Sequence, residues 1–207
     1  MNPIQISLMT IFHPMDGFCL IKSNRENFSY WPAVILSVLF VAVRILSMYL
    51  MHYSVTNIDP SQIDIPIEIA MLVAPYASWI LVHYSITTIS SGECKMREVY
   101  TGLVYAFVPY IVLMLPISLL SHLFSQSSAG TITLLQNLVW AYCIFQVFIS
   151  IKAMNDFSFK KTIGIIILTF VGIVLCWVLI LLLYGLTAQL VTTAYQLIRE
   201  FINIYIG

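Results

Sequence analysis

Charge is scarce in this chain. Of its 207 residues nine are Lys or Arg and nine are Asp or Glu, 9% in all, while 60% are hydrophobic. Soluble domains carry about a quarter charged residues, so this composition excludes a water-exposed globule. The mean hydropathy of +0.95 describes an integral membrane protein instead. The charges sum to zero, which leaves no basic surplus to draw a nucleic acid. Cysteine is limited to Cys19, Cys94, Cys143 and Cys176. None forms a CxxC pair, so no redox or zinc motif is present, and the four read as free thiols behaving as small apolar residues. Cys94, beside a basic loop, is also a candidate for acylation in a eukaryotic host. HExxH, paired aspartates within an apolar run, and a Ser or Cys with a recognisable basic partner are all missing. No catalytic residue, metal ligand or cofactor is therefore expected. Residues 1–12 hold no Lys or Arg, which excludes the basic start of a secretory signal and predicts insertion through the first span.

What the chain does have is long apolar runs. Five of them, Tyr30–Met51, Pro66–Ile89, Tyr100–Leu123, Thr131–Ile151 and Thr162–Tyr184, reach the roughly 20 residues that cross a hydrocarbon core of ~30 Å. Because lipid offers no partner to backbone polar groups, each run must be a helix. The predicted fold class is an all-α integral membrane protein, a five-helix transmembrane bundle with interfacial amphipathic helices at both ends. Its parts are a cytosolic or interfacial N-terminal segment (1–29), the five-span domain (30–184) and an external amphipathic helix (185–207). In that tail Gln189, Thr192, Thr193, Gln196, Arg199, Glu200 and Asn203 recur at helical spacing opposite Leu190, Ala194, Leu197, Ile198, Phe201 and Tyr205. A helix of this pattern suits the membrane–water boundary, hinged at Gly185. At the other end Pro3–Phe12 has a shorter apolar face and His13-Pro14-Met15-Asp16-Gly17-Phe18 forms a turn, predicted to lie along the inner surface. Either segment could instead dock a partner protein.

Orientation follows from the loops. Lys22 and Arg25 precede the first span, Lys95 and Arg97 lie between the second and third, and Lys152, Lys160 and Lys161 between the fourth and fifth. The loop His52–Asp64 has two acids and no Lys or Arg, Phe124–Gly130 has no charge, and the tail has Arg199 beside Glu200. The positive-inside rule then predicts a cytosolic N-terminus and an external C-terminus.

Within the spans, ionisable and kinked positions are the candidate sites. Arg44 lies seven residues, ~10 Å, below the outer end of the first span, where an unpaired arginine costs ~2.5–3.5 kcal/mol. Glu68 lies near the outer end of the second, and an arginine that reaches upward can pair with it. That pair either pins two helices or forms a charged site for an anionic solute or partner helix. His83 has no His, Asp or Glu three or four residues away, so a hydrogen bond to a neighbouring helix is expected in place of a metal site. Gln136, Asn137 and Gln146 invite the same reading. Pro75, Pro109 and Pro116 each delete a backbone hydrogen bond and predict kinks. Small residues at four-residue spacing, Ala33 and Ser37, Ala70, Ala74 and Ser78, Gly102 and Ala106, predict close helix packing.

Five spans, the pre-span stretch from His13 to Phe18 and the third-span motif Tyr105-Ala106-Phe107-Val108-Pro109-Tyr110 resemble the Yip (Ypt-interacting protein) family, in particular its bacterial branch. The motif is similar to the family's Gly-Tyr-x-x-x-Pro element, with Val104 where the glycine stands. The Asp-Leu-Tyr-Gly-Pro element of eukaryotic members is absent. Those members are non-enzymatic adaptors that engage small GTPases through long cytosolic N-terminal regions, and this chain has about 29 residues there. The resemblance implies a bacterial plasma-membrane protein that accompanies other integral membrane proteins, such as permease subunits of an ABC-type transport system. Two functions are thus expected in order: a non-enzymatic scaffold or accessory subunit, or alternatively a small-solute channel or transporter with a path near Arg44, Glu68 and His83.

Overall fold

The computed structural model describes residues 3–24, 29–51, 63–122 and 129–206, with side chains described up to residue 200. Arg25, Asp59, most of the loops expected at 52–64 and 124–130, and the side chains of Phe201, Asn203 and Tyr205 lie outside the described residues. Among the described residues eight helices follow one another: α1 (Pro3–Phe12), α2 (Pro14–Ser23), α3 (Trp31–Leu50), α4 (Ile65–Ile89), α5 (Met96–Ala106), α6 (Val108–Leu120), α7 (Ala129–Asn155) and α8 (Phe159–Ile206). Five stretches of the described residues are long and apolar enough to span a membrane: α3, α4, α5 with α6, α7, and α8 as far as Glu200.

Local chemistry sets the helix ends. Asp64 caps α4 by accepting from the Ile67 amide, with Pro66 in the first turn and Glu68 against the helix dipole. Glu98 reaches back to the Lys95 amide at 3.0 Å and starts α5. The third span is two helices broken at Phe107. Pro109 has no amide for the Tyr105 carbonyl, and the chain closes instead through a tighter Phe107-to-Val104 bond. Pro109 therefore stands in the first turn of α6, whereas α4 and α6 run on through Pro75 and Pro116.

All the basic residues named in the loops that the structure describes gather at one end of the bundle, the basic end, where α4 and α7 finish and α3, α5 and α8 begin. There Arg97 lies 5.3 Å over the Tyr30 ring, and the Ser37 and Tyr100 hydroxyls meet at 2.6 Å. At the far end the His122 Nε2–H donates to the Leu50 carbonyl at 2.6 Å. The centre is α5–α6, held between α3 and α7 with Val104, Tyr105, Ala106 and Tyr110 buried. Gly102 makes this possible. A Cβ there would meet Met154 Sδ at 2.6 Å and overlap Ser150 Oγ, so α5 and α7 touch backbone to side chain. Ala33 and Ala106 are buried likewise, but Ala70 is exposed and Ala74 and Ser78 are half-buried. The stripe on α4 thus does little packing, because α4 is peripheral and pairs chiefly with α8.

Two terminal segments differ from the sequence reading. No hinge occurs at Gly185: α8 is one helix of 48 residues, about 72 Å at 1.5 Å per residue. A glycine costs a helix only ~1 kcal/mol, too little to break it without a proline or a competing contact. The turn expected over His13–Phe18 is confined to His13, because α2 already begins at Pro14, and the two N-terminal helices pack on each other. They fold into a hairpin whose inner face, Ile6, Thr10, Gly17, Phe18 and Ile21, is buried, with α2 laid along α7.

Candidate functional site

Three polar constellations and one apolar cavity stand out, and each joins segments far apart in sequence. The first is the hairpin seat. Gln146 on α7 donates to the Thr10 carbonyl at 2.7 Å, and the Tyr142 hydroxyl donates to the Ile11 carbonyl at 2.5 Å. Both acceptors belong to the last turn of α1, whose carbonyls have no partner within their own helix. Tyr142 is thirteen residues, about 20 Å, along α7 from Asn155. When α7 crosses a bilayer of ~30 Å hydrocarbon thickness, the hairpin turn lies inside it.

The second constellation closes the basic end. Lys22, at the end of α2, stands 3.0 Å from Glu93 Oε2 and also pairs with Asp156. Asn155 accepts from the Cys94 amide at 3.4 Å and donates to the Ile151 carbonyl at 3.1 Å. The turns after α4 and α7 are thereby tied to the hairpin. Burial works against the Lys22 charge, but hydrogen bonds to Asp156 and Glu93 outweigh it and hold its pKa above the usual 10.5. A raised lysine pKa contributes stability that is complete below pH 10.5 and lost as pH climbs through the folded value. Limited proteolysis should therefore find the N-terminal hairpin equally protected from neutral pH up to about 10.5, and progressively exposed above it. High salt should shift that exposure to lower pH, since Glu93 and Asp156 are largely solvent-exposed.

The third lies within the spans. Arg44 Nη2 is 3.9 Å from Glu68 Oε2, with the two side chains 33% and 28% exposed. The buried Tyr110 hydroxyl faces Arg44 and Ser47 from α6 without meeting hydrogen-bond geometry to either. His83 is buried apart from this pair. Its Nδ1 is 3.1 Å from Thr169 Oγ1 on α8, and its ring stacks on Trp79 at 5.6 Å. The Thr169 hydroxyl gives its hydrogen to the Ile165 carbonyl at 2.8 Å, so Nδ1–H of His83 donates to the Thr169 oxygen. Arg44 and Glu68 are thus brought together while His83 stands alone. Gln136 Nε2 reaches the Met51 sulfur at 3.2 Å, and Asn137 is exposed. Among the described residues no group of three His, Cys, Asp or Glu could hold a metal ion.

Tyr105, Pro109 and Tyr110 flank the break in the third span. Tyr110 stacks edge-on with Phe40 at 5.1 Å and lies 5.0 Å from Trp140, while Phe107 lies 5.0 Å from Phe40. The motif is an aromatic hub at mid-bundle. Beside it a cavity of about 590 Å³ opens between α4, α5, α7 and α8, a volume within the ~300–1,000 Å³ range of small-molecule sites. Pro75, Tyr76, Trp79, Phe107, Trp140 and Phe170 form much of its wall. Sequence reasoning missed the cavity, the hairpin seat and the Lys22 clasp. The one available signal was Gln146, a polar side chain inside an apolar run.

A family model described as the Yip1 domain matches residues 8–195 of the chain. No curated protein and no solved structure matches it.

Proposed function

The chain belongs to the Yip1 domain family, and from that premise we propose that it is a non-enzymatic membrane scaffold or accessory subunit that holds other integral membrane proteins. The observation that carries this reading is the second half of α8. From Trp177 to Glu200 it is exposed on every side, with Leu182, Leu186, Leu190, Val191 and Leu197 each more than half accessible. A helix about 72 Å long exceeds what one bilayer crossing uses, so a stretch of it is left for a partner or the membrane surface. Permease subunits of an ABC-type transport system in a bacterial plasma membrane are the partners proposed, with the N-terminus cytosolic and residues 185–207 external, where α8 continues toward the partner.

Polar chemistry favours this reading over a solute path. Arg44 is answered by Glu68 and His83 by Thr169, and the large cavity is walled by apolar side chains, with none of these four among the residues that line it. Purification of the tagged chain in mild detergent, with quantitative mass spectrometry of what co-elutes, tests the proposal. Stoichiometric recovery of a permease that is lost on deleting 186–207 is the expected result. Recovery of the chain alone, with solute flux that disappears in Arg44→Leu, would overturn it in favour of transport.

A further inference from the structure

A cation stands on α8 one turn before the residues that line the apolar cavity. Ile163, Ile167 and Phe170 line it from α8, and Lys160 lies on the same helical face three and seven residues before the two isoleucines. Lys160 is exposed and, among the described residues, forms no ion pair. Phe159 beside it packs on Phe148, another wall residue, at 5.2 Å. The ten residues from Lys160 to Phe170 rise about 15 Å, one half of a ~30 Å hydrocarbon core. The cavity also opens sideways. Met71, Ile144, Ile167 and Phe170 are 69, 66, 60 and 57% exposed, and in a spanning bundle such exposure is to lipid.

We propose that this cavity holds an acyl chain of an anionic glycerophospholipid from the leaflet at the basic end, with its phosphate at Lys160. Length, apolar lining, lateral opening and a cation at one end together specify that occupant. The first turn of α8 adds its positive dipole end to the lysine at the phosphate. A neutral lipid would fill the cavity without using the lysine, and a free phosphate would use the lysine without filling the cavity.

Trp79 and Trp140 are in the wall, so the site has its own reporter. The full chain carrying Trp31→Phe and Trp177→Phe is placed in vesicles containing a small fraction of phosphatidylglycerol or phosphatidylcholine brominated on the acyl chain, and tryptophan quenching is followed. Half-quenching is expected at an about fivefold lower fraction of the anionic lipid, the preference one lysine near the surface confers. Lys160→Gln should bring the two lipids level, and Ile167→Phe should reduce quenching by both. Inorganic phosphate at matched ionic strength should not compete. Equal quenching by the two lipids in the unaltered site, or a preference that survives Lys160→Gln, overturns the proposal. So does quenching that Ile167→Phe leaves unchanged in protein whose helical circular dichroism is intact.

Discussion

Valine in place of Gly17 is expected to unseat the N-terminal hairpin and lower the melting temperature in detergent by roughly 5–10 °C. A Cβ at Gly17 would stand 2.9 Å from both the Cα and the amide nitrogen of Thr10. These are backbone atoms, which cannot rotate aside as a side chain can. Overpacking a core costs about 1–3 kcal/mol where neighbours can adjust, and here relief requires α1 to move away from α2. That motion withdraws the Thr10 and Ile11 carbonyls from Gln146 and Tyr142, so the whole seat is lost together. Differential scanning fluorimetry reads the melting temperature, and hydrogen exchange over residues 3–23 reads the hairpin directly. Gln146→Ala is the milder companion, removing one interhelical hydrogen bond worth about 0.6–2 kcal/mol in a membrane. If Gly17→Val melts normally with unaltered exchange, the close α1–α2 crossing does not contribute to stability.

Glu68→Leu carries the second large effect. It leaves the Arg44 guanidinium inside a span without its carboxylate. A fully buried pair broken in this way costs about 3–5 kcal/mol. Because both side chains keep roughly a third of their surface accessible, about 1–3 kcal/mol is the expected loss after discounting for solvent and for arginine reaching toward the headgroups. The double variant Arg44→Met/Glu68→Leu should recover most of it, since no charge is then stranded. The two single changes and the double therefore form a cycle with a coupling energy that thermal or denaturant unfolding can measure. Additive effects would mean that each group interacts with solvent or headgroups and not with the other. Tyr110→Phe should be nearly neutral in the same assay, because its hydroxyl meets no partner at hydrogen-bond geometry.

Much of the frame was legible in the residues. An apolar run of the right length is a one-dimensional signal, so the number of spans needed no tertiary information. The Arg44–Glu68 proximity was legible for a related reason: both charges lie near the same end of adjacent spans, where few other partners exist. Pro109 was readable as a disruption, but its outcome was not. In the structure Pro109 begins α6 after a break at Phe107, while Pro75 and Pro116 remain inside continuous helices. The difference lies in what packs around the break, an aromatic cluster of Phe40, Phe107, Tyr110 and Trp140, and no local rule encodes those neighbours.

Composition and order along the chain thus determined an all-α membrane bundle of five spans with its basic residues at one end. They did so because the cost of burying charge or an unsatisfied backbone in lipid acts on each segment separately. Tertiary structure alone decided that α1 and α2 fold onto α7, that Lys22 clasps Glu93 and Asp156, and that α4, α5, α7 and α8 leave a cavity between them. In lipid the hydrophobic effect does not choose which helix meets which. The choice falls to steric fit at small residues such as Gly17 and Gly102 and to a few interhelical hydrogen bonds. Those depend on pairs of residues up to 136 positions apart, and such pairings do not exist until the helices have packed.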